Sequence, residues 1–530
     1  MVKIRFLIWG ALVFGLLFWV GIYGFNKTNR ADTPSSGKQV FRMAISSEPP
    51  TLDWSLATDN VSIRIIENLM DGLTEFDADL KPIPAVAEGW LISEDGRRYT
   101  FSLRENVYWS DWKPVTAYDF EYSWKRLLDP KTAAEYAYFL FDVVNGAEYN
   151  SGEIKDPEKV GIKALDERTL QVDLRQPIVF FPSITTFTAT FPHRKDIHDR
   201  FGDHWTDPKN MVVNGPFKLK KWDHEYKVIL EPNDRYYDQK PTLEEVTFFV
   251  IGESTTALTL YETGDLDLVQ LPPIAISHYK DSPEYLNFPF LRGYYYGFNV
   301  TLPPFNDPRV RKAFSMAIDR NEVPKILKGG EIPTSSWIPK GMPGFNPNIG
   351  LSFNPEEARK LLSEAGFPGG KGFQKITAVF NTNPENNLIA ENLQAQWERN
   401  LGVKVVLDNQ EWKVYLKRLT TDTPALFRLG WGADYPDPDN FMNLFTSTSG
   451  NNNTHWKNER YDQLIQKAAL ERDPQKRQGL YDEAQRILTE EDVPIMPLFI
   501  AAQNILIKPY LKGLEINALD LLFLKTVSVE

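Results

Sequence analysis

Tyr108 Trp109 Ser110 Asp111 Trp112 Lys113 Pro114 Val115 Thr116 Ala117 Tyr118 Asp119 Phe120 Glu121 Tyr122 Ser123 Trp124 Lys125 Arg126 Leu127 joins a turn to a helix start. Thr116 with Asp119 reads as a capping box that opens a helix running through Trp124 and Leu127. Just upstream, Tyr99 Thr100 Phe101 Ser102 Leu103 Arg104 alternates with period two behind the Glu94 Asp95 Gly96 turn, which predicts a half-buried strand. The same mixture recurs along the chain. Asp307 Pro308 predicts a helix whose apolar face is Val310, Ala313, Phe314, Ala317 and Ile318. Asn354 Pro355 opens another that stops at Gly366, and Asp473 Pro474 a third with Leu480, Ala484, Ile487 and Leu488 inward. Strands are expected at residues 227–230, 246–251, 375–380 and 403–407, which together predict α/β lobes.

The chain has 530 residues, enough for two or three domains. Hydrophobic and charged contents of 42% and 25% are those of a globular protein. A net charge of -12 argues against a nucleic-acid partner, which calls for a basic face, and suits cationic ligands. There are no cysteines, so disulfides, thiolate metal sites, a thiol nucleophile and a lipid-carrying cysteine are excluded.

Lys3 and Arg5 precede an uncharged apolar run that begins at Phe6 and ends at Phe25, followed by a polar stretch. This run is long enough to span a bilayer. Ile22, Tyr23 and Gly24 make a poor cleavage site, so the expectation is an uncleaved N-terminal anchor, with a cleaved signal peptide as the alternative. Lys27 and Arg30 match the charge on the other flank and leave orientation open. Either way, the bulk of the chain is expected outside the cytoplasm.

No catalytic machinery stands out. G-x-S-x-G and H-E-x-x-H are absent, and Gly366 Phe367 Pro368 Gly369 Gly370 Lys371 Gly372 lacks the spacing and the hydroxyl of a phosphate loop, so it reads as a helix-ending turn. His193, His198 and His204 lack the i, i+4 spacing of a helical metal site and are read as surface residues. No pair among the 71 acidic residues is singled out for glycosidase-type work. Aromatic residues are abundant: 14 Trp, 22 Tyr and 33 Phe exceed what a core alone requires and suit a large aromatic-lined cavity. Arg428 Leu429 Gly430 Trp431 Gly432 Ala433 Asp434 Tyr435 Pro436 places one carboxylate among aromatics and glycines. Such a carboxylate needs a positive partner when desolvated, and a peptide's amino group would serve, although Asp before Tyr-Pro-Asp-Pro is more often a turn former.

Taken together these segments resemble the extracytoplasmic solute-binding proteins of ABC importers, of the oligopeptide-binding (family 5) type. The likeness covers nearly everything from Val40 onward. It rests on the opening stretch with Asp129 Pro130 and Tyr136, and on Asn214 Gly215 Pro216 Phe217 Lys218 Leu219. Further points are Phe305 Asn306 Asp307 Pro308 Arg309 Val310 Arg311 Lys312 Ala313, Asn409 Gln410 Glu411 Trp412 Lys413, the Asp434 segment and Asn451 Asn452 Asn453 Thr454 His455 Trp456.

The resemblance implies an α/β fold of the periplasmic-binding-protein class II kind, with three lobes and a hinged ligand cleft. It divides the chain into residues 1–39 as anchor and linker, 40–70 plus 195–297 plus 502–530 as a discontinuous lobe I, 71–194 as accessory lobe II, and 298–501 as lobe III. It implies a non-enzymatic, monomeric receptor without cofactor or metal, which closes over an oligopeptide and presents it to an ABC permease and ATPase complex. Backbone hydrogen bonds supply affinity while side chains enter wet pockets. The implied ligand contacts are Asp434 on the peptide ammonium, Gly430 and Trp431 on its backbone, Trp412 and Tyr136 as pocket aromatics, Arg428 toward its carboxylate, and Thr58, Asp59 and Asn60 from the opposite lobe.

Departures from the family pattern concern the carboxylate end. A second arginine and a histidine used there fall at Leu419 and Asn386, with Arg418 one residue away as a possible carboxylate partner; an acidic residue of the family falls at Thr58. Trp112 replaces a glycine, which predicts an altered turn. Alternatives on the same fold are an oligosaccharide, metal-chelate or haem carrier, an anchored hydrolase, or a sensory surface receptor.

Overall fold

The computed structural model describes residues 38–178 and 180–530; the expected membrane segment, residues 6–25, lies outside them. No helix among the described residues is long and apolar enough to cross a membrane.

An 11-stranded mixed sheet organises the molecule. From one edge it runs Val405–Gln410, Ile376–Asn381, Leu426–Gly432, Tyr285–Phe298, Ile495–Ile507, Leu268–Gln270, Val40–Ile45, Glu245–Val250, Lys227–Pro232 and Phe217–Asp223, with Ile332–Pro333 pairing on Ile495–Ile507. Tyr285–Phe298 and Ile495–Ile507, 14 and 13 residues long, pair antiparallel and carry the sheet from one half to the other. The divisions expected at 297/298 and 501/502 fall at the end of the first of these strands and inside the second. A separate four-stranded antiparallel sheet, in the order Ala87–Ile92, Arg98–Leu103, Thr169–Asp173, Ile162–Ala164, lies within residues 71–194.

Local signals explain most elements. The opening stretch forms the helix Ala117–Leu128, and Asp119 accepts the Thr116 backbone N–H at 2.8 Å. Phe120, Trp124 and Leu127 lie at i, i+4 and i+7 and are fully buried, with Trp124 Nε1 donating to the Thr190 carbonyl at 2.7 Å. All three residue-plus-proline devices start helices: Pro308–Met316, Pro355–Glu364 and Pro474–Arg486. Asp307, Asn354 and Asp473 accept backbone N–H groups of Arg309, Glu357 and Gln475 at 2.8, 3.1 and 2.9 Å. Gly366 ends its helix at φ +98, as the turn reading of that stretch requires.

Three expectations change. The strand expected from Val403 begins at Val405, because Gly402 at φ +71 closes the helix Pro384–Leu401 and the Val403 N–H turns back to the Trp397 carbonyl. His193 is not a surface residue: it is 2% exposed, stacked on Trp54 with ring centroids 4.3 Å apart, and its Nε2 meets Ser55 Oγ at 3.1 Å. Burial holds its imidazole well below the usual histidine range. Trp112 adopts φ +74, so the turn keeps a glycine-type backbone and the tryptophan bears the strain.

Candidate functional site

A cavity of about 210 Å³ opens between the halves of the molecule. Its walls bring together residues distant in sequence: Thr58, Asp59 and Asn60, then Glu135 and Tyr136, then Trp412 with Arg428, Gly430, Trp431 and Asp434. A second cavity of about 210 Å³ continues from it, sharing Ser46, Asn60, Val61, Arg292 and Arg428.

The strand Leu426–Gly432 supplies one wall. It pairs antiparallel with Tyr285–Phe298 along its length, but with Ile376–Asn381 only at Leu426 and Phe427. The Ala433 N–H donates to the Leu291 carbonyl, while the Arg428 carbonyl turns the other way and accepts from Tyr415 Oη. By alternation, the backbone groups of Gly430 and Gly432 also face away from the paired strand. Gly430 therefore offers its N–H and C=O to the cavity on an unpaired edge, where an extended peptide can add as a strand.

Asp434 follows this strand. Its Oδ2 accepts from Asn440 Nδ2 at 2.9 Å and its Oδ1 from Tyr136 Oη at 3.3 Å, so residues 304 positions apart in sequence meet on one carboxylate. No Lys, Arg or His among the described residues reaches it at ion-pair distance. Burial pushes its carboxyl up to about 7 against the opposing hydrogen bonds of Asn440 and Tyr136. Glu135 on the same wall is also pushed up to about 7, by burial alone. A lone carboxylate in this setting is stabilised in its charged form by an incoming cation that can hydrogen-bond to it.

The aromatic residues divide in role. The Trp431 ring is buried and its Nε1 donates to Asn440 Oδ1 at 2.9 Å, which leaves the ring face as wall. Trp412 begins the helix Trp412–Thr421; its Nε1 is buried with no acceptor at hydrogen-bond geometry, though it stands near enough to Asp59 to favour that carboxylate's charge. Asp59 caps the helix Asn60–Leu69, its Oδ1 accepting from Val61 and Ser62 N–H at 3.0 and 3.1 Å, and burial raises its pKa. Thr58 is half-buried and Asn60 exposed on the cavity wall.

At the other end, Arg428 stacks over the Tyr294 ring with Cζ 4.2 Å from its centroid and donates from Nη1 to Asn381 Oδ1 at 3.1 Å; its buried Nε has no partner. Arg418 is held by Asp408 at 3.1 Å and does not line the cavity. Asn386 is buried, accepts the Tyr294 hydroxyl at 3.0 Å and so braces the ring beneath Arg428. Asn440 and Arg292 were not legible as site residues. Asn440 had no signal beyond lying in the short helix Pro438–Met442, whereas Arg292 is a lone cation in the apolar run 288–296, a pattern that marks a buried charge.

Residues 81–453 match the family model described as bacterial extracellular solute-binding proteins, family 5 middle. The periplasmic murein peptide-binding protein MppA of Escherichia coli is 36% identical over 503 residues, covering 92% of this chain and 93% of the relative. The probable deoxycholate-binding periplasmic protein YgiS of the same organism is 33% identical over 512 residues, covering 94% and 95%. Among solved structures, the murein tripeptide binding protein MppA superposes with a TM-score of 0.89 at 35% identity over 93% of this chain and 99% of that one. Haemophilus influenzae OppA in complex with the peptide RPPGFSPFR gives 0.88 at 30% identity over 93% and 99%. The unliganded open form of MppA gives only 0.64 at 36% identity over 93% and 98%.

Proposed function

We propose that this chain, which belongs to the bacterial extracellular solute-binding proteins of family 5, captures oligopeptides in its cleft outside the cytoplasm and hands them to an ABC permease. The observation that carries this reading is Asp434: a buried carboxylate beside an unpaired strand edge, with no cation at ion-pair distance among the described residues. A peptide α-ammonium supplies both the charge and the donors that Asp434 lacks. The Gly430 backbone then pairs with the first residues of the peptide, and the ligand side chains point into space walled by Trp412, Trp431 and Tyr136. Closure around the ligand joins the Thr58, Asp59 and Asn60 wall to the Asp434 wall, and the closed form is what the permease reads. The role is binding and delivery, without turnover; an N-terminal anchor would keep the receptor at the membrane.

A second reading has one specific support, the relative named as probably deoxycholate-binding. Such a ligand carries a carboxylate and no ammonium, so it would engage Arg428 and leave Asp434 idle.

Native mass spectrometry of purified protein stripped of bound material, offered a peptide pool beside the same pool acetylated at its amino termini, tests both. Selective uptake of the unmodified peptides is expected. Uptake of deoxycholate with indifference to both pools would replace the peptide reading with the second.

A further inference from the structure

Glu135 opens the 3-10 helix Glu135–Leu140, and every later residue of that turn, Tyr136 through Leu140, is buried. Its backbone is fixed from the other side. A Cβ at Gly450 would stand 2.7 Å from the Glu135 carbonyl oxygen and 3.0 Å from its Cα, so the loop that carries Ser449, Gly450 and Asn451 lies directly on this residue. The half-buried Glu135 side chain joins the cavity wall that also holds Tyr136, Trp431 and Asp434.

This wall carries one carboxylate more than a peptide amino terminus can satisfy. Asp434 at least has Asn440 and Tyr136 as donors. The Glu135 side chain has neither a hydrogen bond nor an ion pair among the described residues, and burial alone, with no opposing partner, raises its carboxyl to about 7. The cations of the cavity are engaged elsewhere: Arg428 turns to Asn381 and the Tyr294 ring, and the acid at ion-pair distance from Arg292 is Asp520, 3.9 Å away. On the overlying loop Asn451 is 5% exposed, lines the same cavity and keeps its Nδ2 without a partner, as does the buried hydroxyl of Tyr138. Polar groups left open in this way on a cavity wall call for a ligand group, and the unpaired carboxylate sets its charge.

We propose that Glu135 is a second cation site of the cleft, which takes the side-chain ammonium or guanidinium of a lysine or arginine at the first or second position of a bound peptide and so selects peptides that are basic near their amino terminus. This rests on the peptide reading above. Tyr136, the next residue in the chain, touches Asp434 with its hydroxyl at 3.3 Å, and adjacent Cα atoms are about 3.8 Å apart, so the second site begins about one tyrosine's length from the first. A lysine's four-carbon stem spans that gap from a residue beside the bound ammonium. From further along an extended peptide it does not, because each residue adds about 3.3 Å. The Asn451 carboxamide, which can present its oxygen as readily as its nitrogen, completes the shell around the cation.

The test titrates Lys-Ala-Ala, Ala-Lys-Ala and Ala-Ala-Lys, and the same three peptides with norleucine in place of lysine, into wild type, Glu135→Gln and Glu135→Asp at pH 8. Norleucine keeps an apolar stem and removes the charge. Wild type is expected to bind the lysine form about tenfold more tightly at the first or second position, the scale of one charge-assisted hydrogen bond, and to show little difference at the third. Glu135→Gln should bring that ratio near one through loss of affinity for the lysine peptides, its binding of the norleucine peptides reporting that it folds, and Glu135→Asp should keep part of the ratio. An undiminished ratio in Glu135→Gln, a preference found only at the third position, or equal binding of lysine and norleucine peptides by wild type overturns the proposal and leaves the peptide reading standing. Binding of no peptide by wild type removes both.

Discussion

Asp434 and Asn440 are joined by two reciprocal hydrogen bonds: the Asp434 backbone N–H donates to Asn440 Oδ1 at 3.0 Å, and Asn440 Nδ2 donates to Asp434 Oδ2 at 2.9 Å. Asn440 Oδ1 also receives Trp431 Nε1 at 2.9 Å, so one buried carboxamide fixes the acid, its backbone and an aromatic wall. Replacing it leaves several buried polar groups without partners. Asn440→Ala is expected to lose about 1 to 3 kcal/mol of stability per orphaned group and to weaken peptide binding. Denaturant unfolding and calorimetric titration of the variant check both.

Peptide affinity should fall as pH drops below 7. The ammonium partner must be ionised, yet the Asp434 carboxyl of the empty site is pushed up to about 7. Each unit below that value therefore costs up to about 1.36 kcal/mol, or tenfold in affinity. Glu135, Glu385 and Asp439 are raised to about 7 as well, so part of any pH profile belongs to them. Asp434→Asn should flatten the profile of wild type without abolishing every slope; an unchanged profile would detach the pH effect from Asp434.

The empty protein should show the opposite trend in stability. A carboxyl with a raised folded-state pKa keeps its proton in the folded protein while the unfolded chain has lost it. Between the ordinary carboxyl value of 3.8 and about 7 stability therefore declines with rising pH, and it levels off above. The melting temperature of ligand-free wild type should decrease from pH 5 to pH 8 by more than that of Asp434→Asn. Thermal unfolding followed by circular dichroism measures the difference.

Gly293→Ala should be destabilising for a reason separate from ligand binding. A Cβ there would stand 2.7 Å from Trp337 Cζ3, inside a fully buried aromatic cluster with Tyr295. Overpacking of this kind costs about 1 to 3 kcal/mol. Lower thermal stability with an unaltered preference between free and acetylated peptides is the expected pattern.

The sequence carried much of the architecture because its signals were local. The Thr116–Asp119 capping box, the Asp307, Asn354 and Asp473 devices and the alternating strands depend on a few neighbouring residues, and each formed where expected to within a few positions. Asp434 and its glycines drew notice through composition, but only the family resemblance favoured a ligand role over a turn. What was not legible depends on contacts between distant segments. His193 looked like one of three polar-segment histidines, but Trp54 and Ser55, far earlier in the chain, bury it. Arg418 was named by proximity in sequence, whereas its helix turns it to Asp408, and the cavity is lined by Arg428 and by Arg292 from another strand. Asn440 acts only through the turn after Asp434, which no periodicity marks.

The most direct test of the account is a calorimetric cycle at pH 8: tri-alanine and N-acetyl-tri-alanine, each titrated into wild type and Asp434→Asn. If the buried carboxylate grips the ammonium, removing either partner should cost about 2 to 5 kcal/mol and removing both little more, so that the two changes are strongly non-additive. Additive losses, or equal binding of both peptides by wild type, would contradict the claim that Asp434 is the ammonium site.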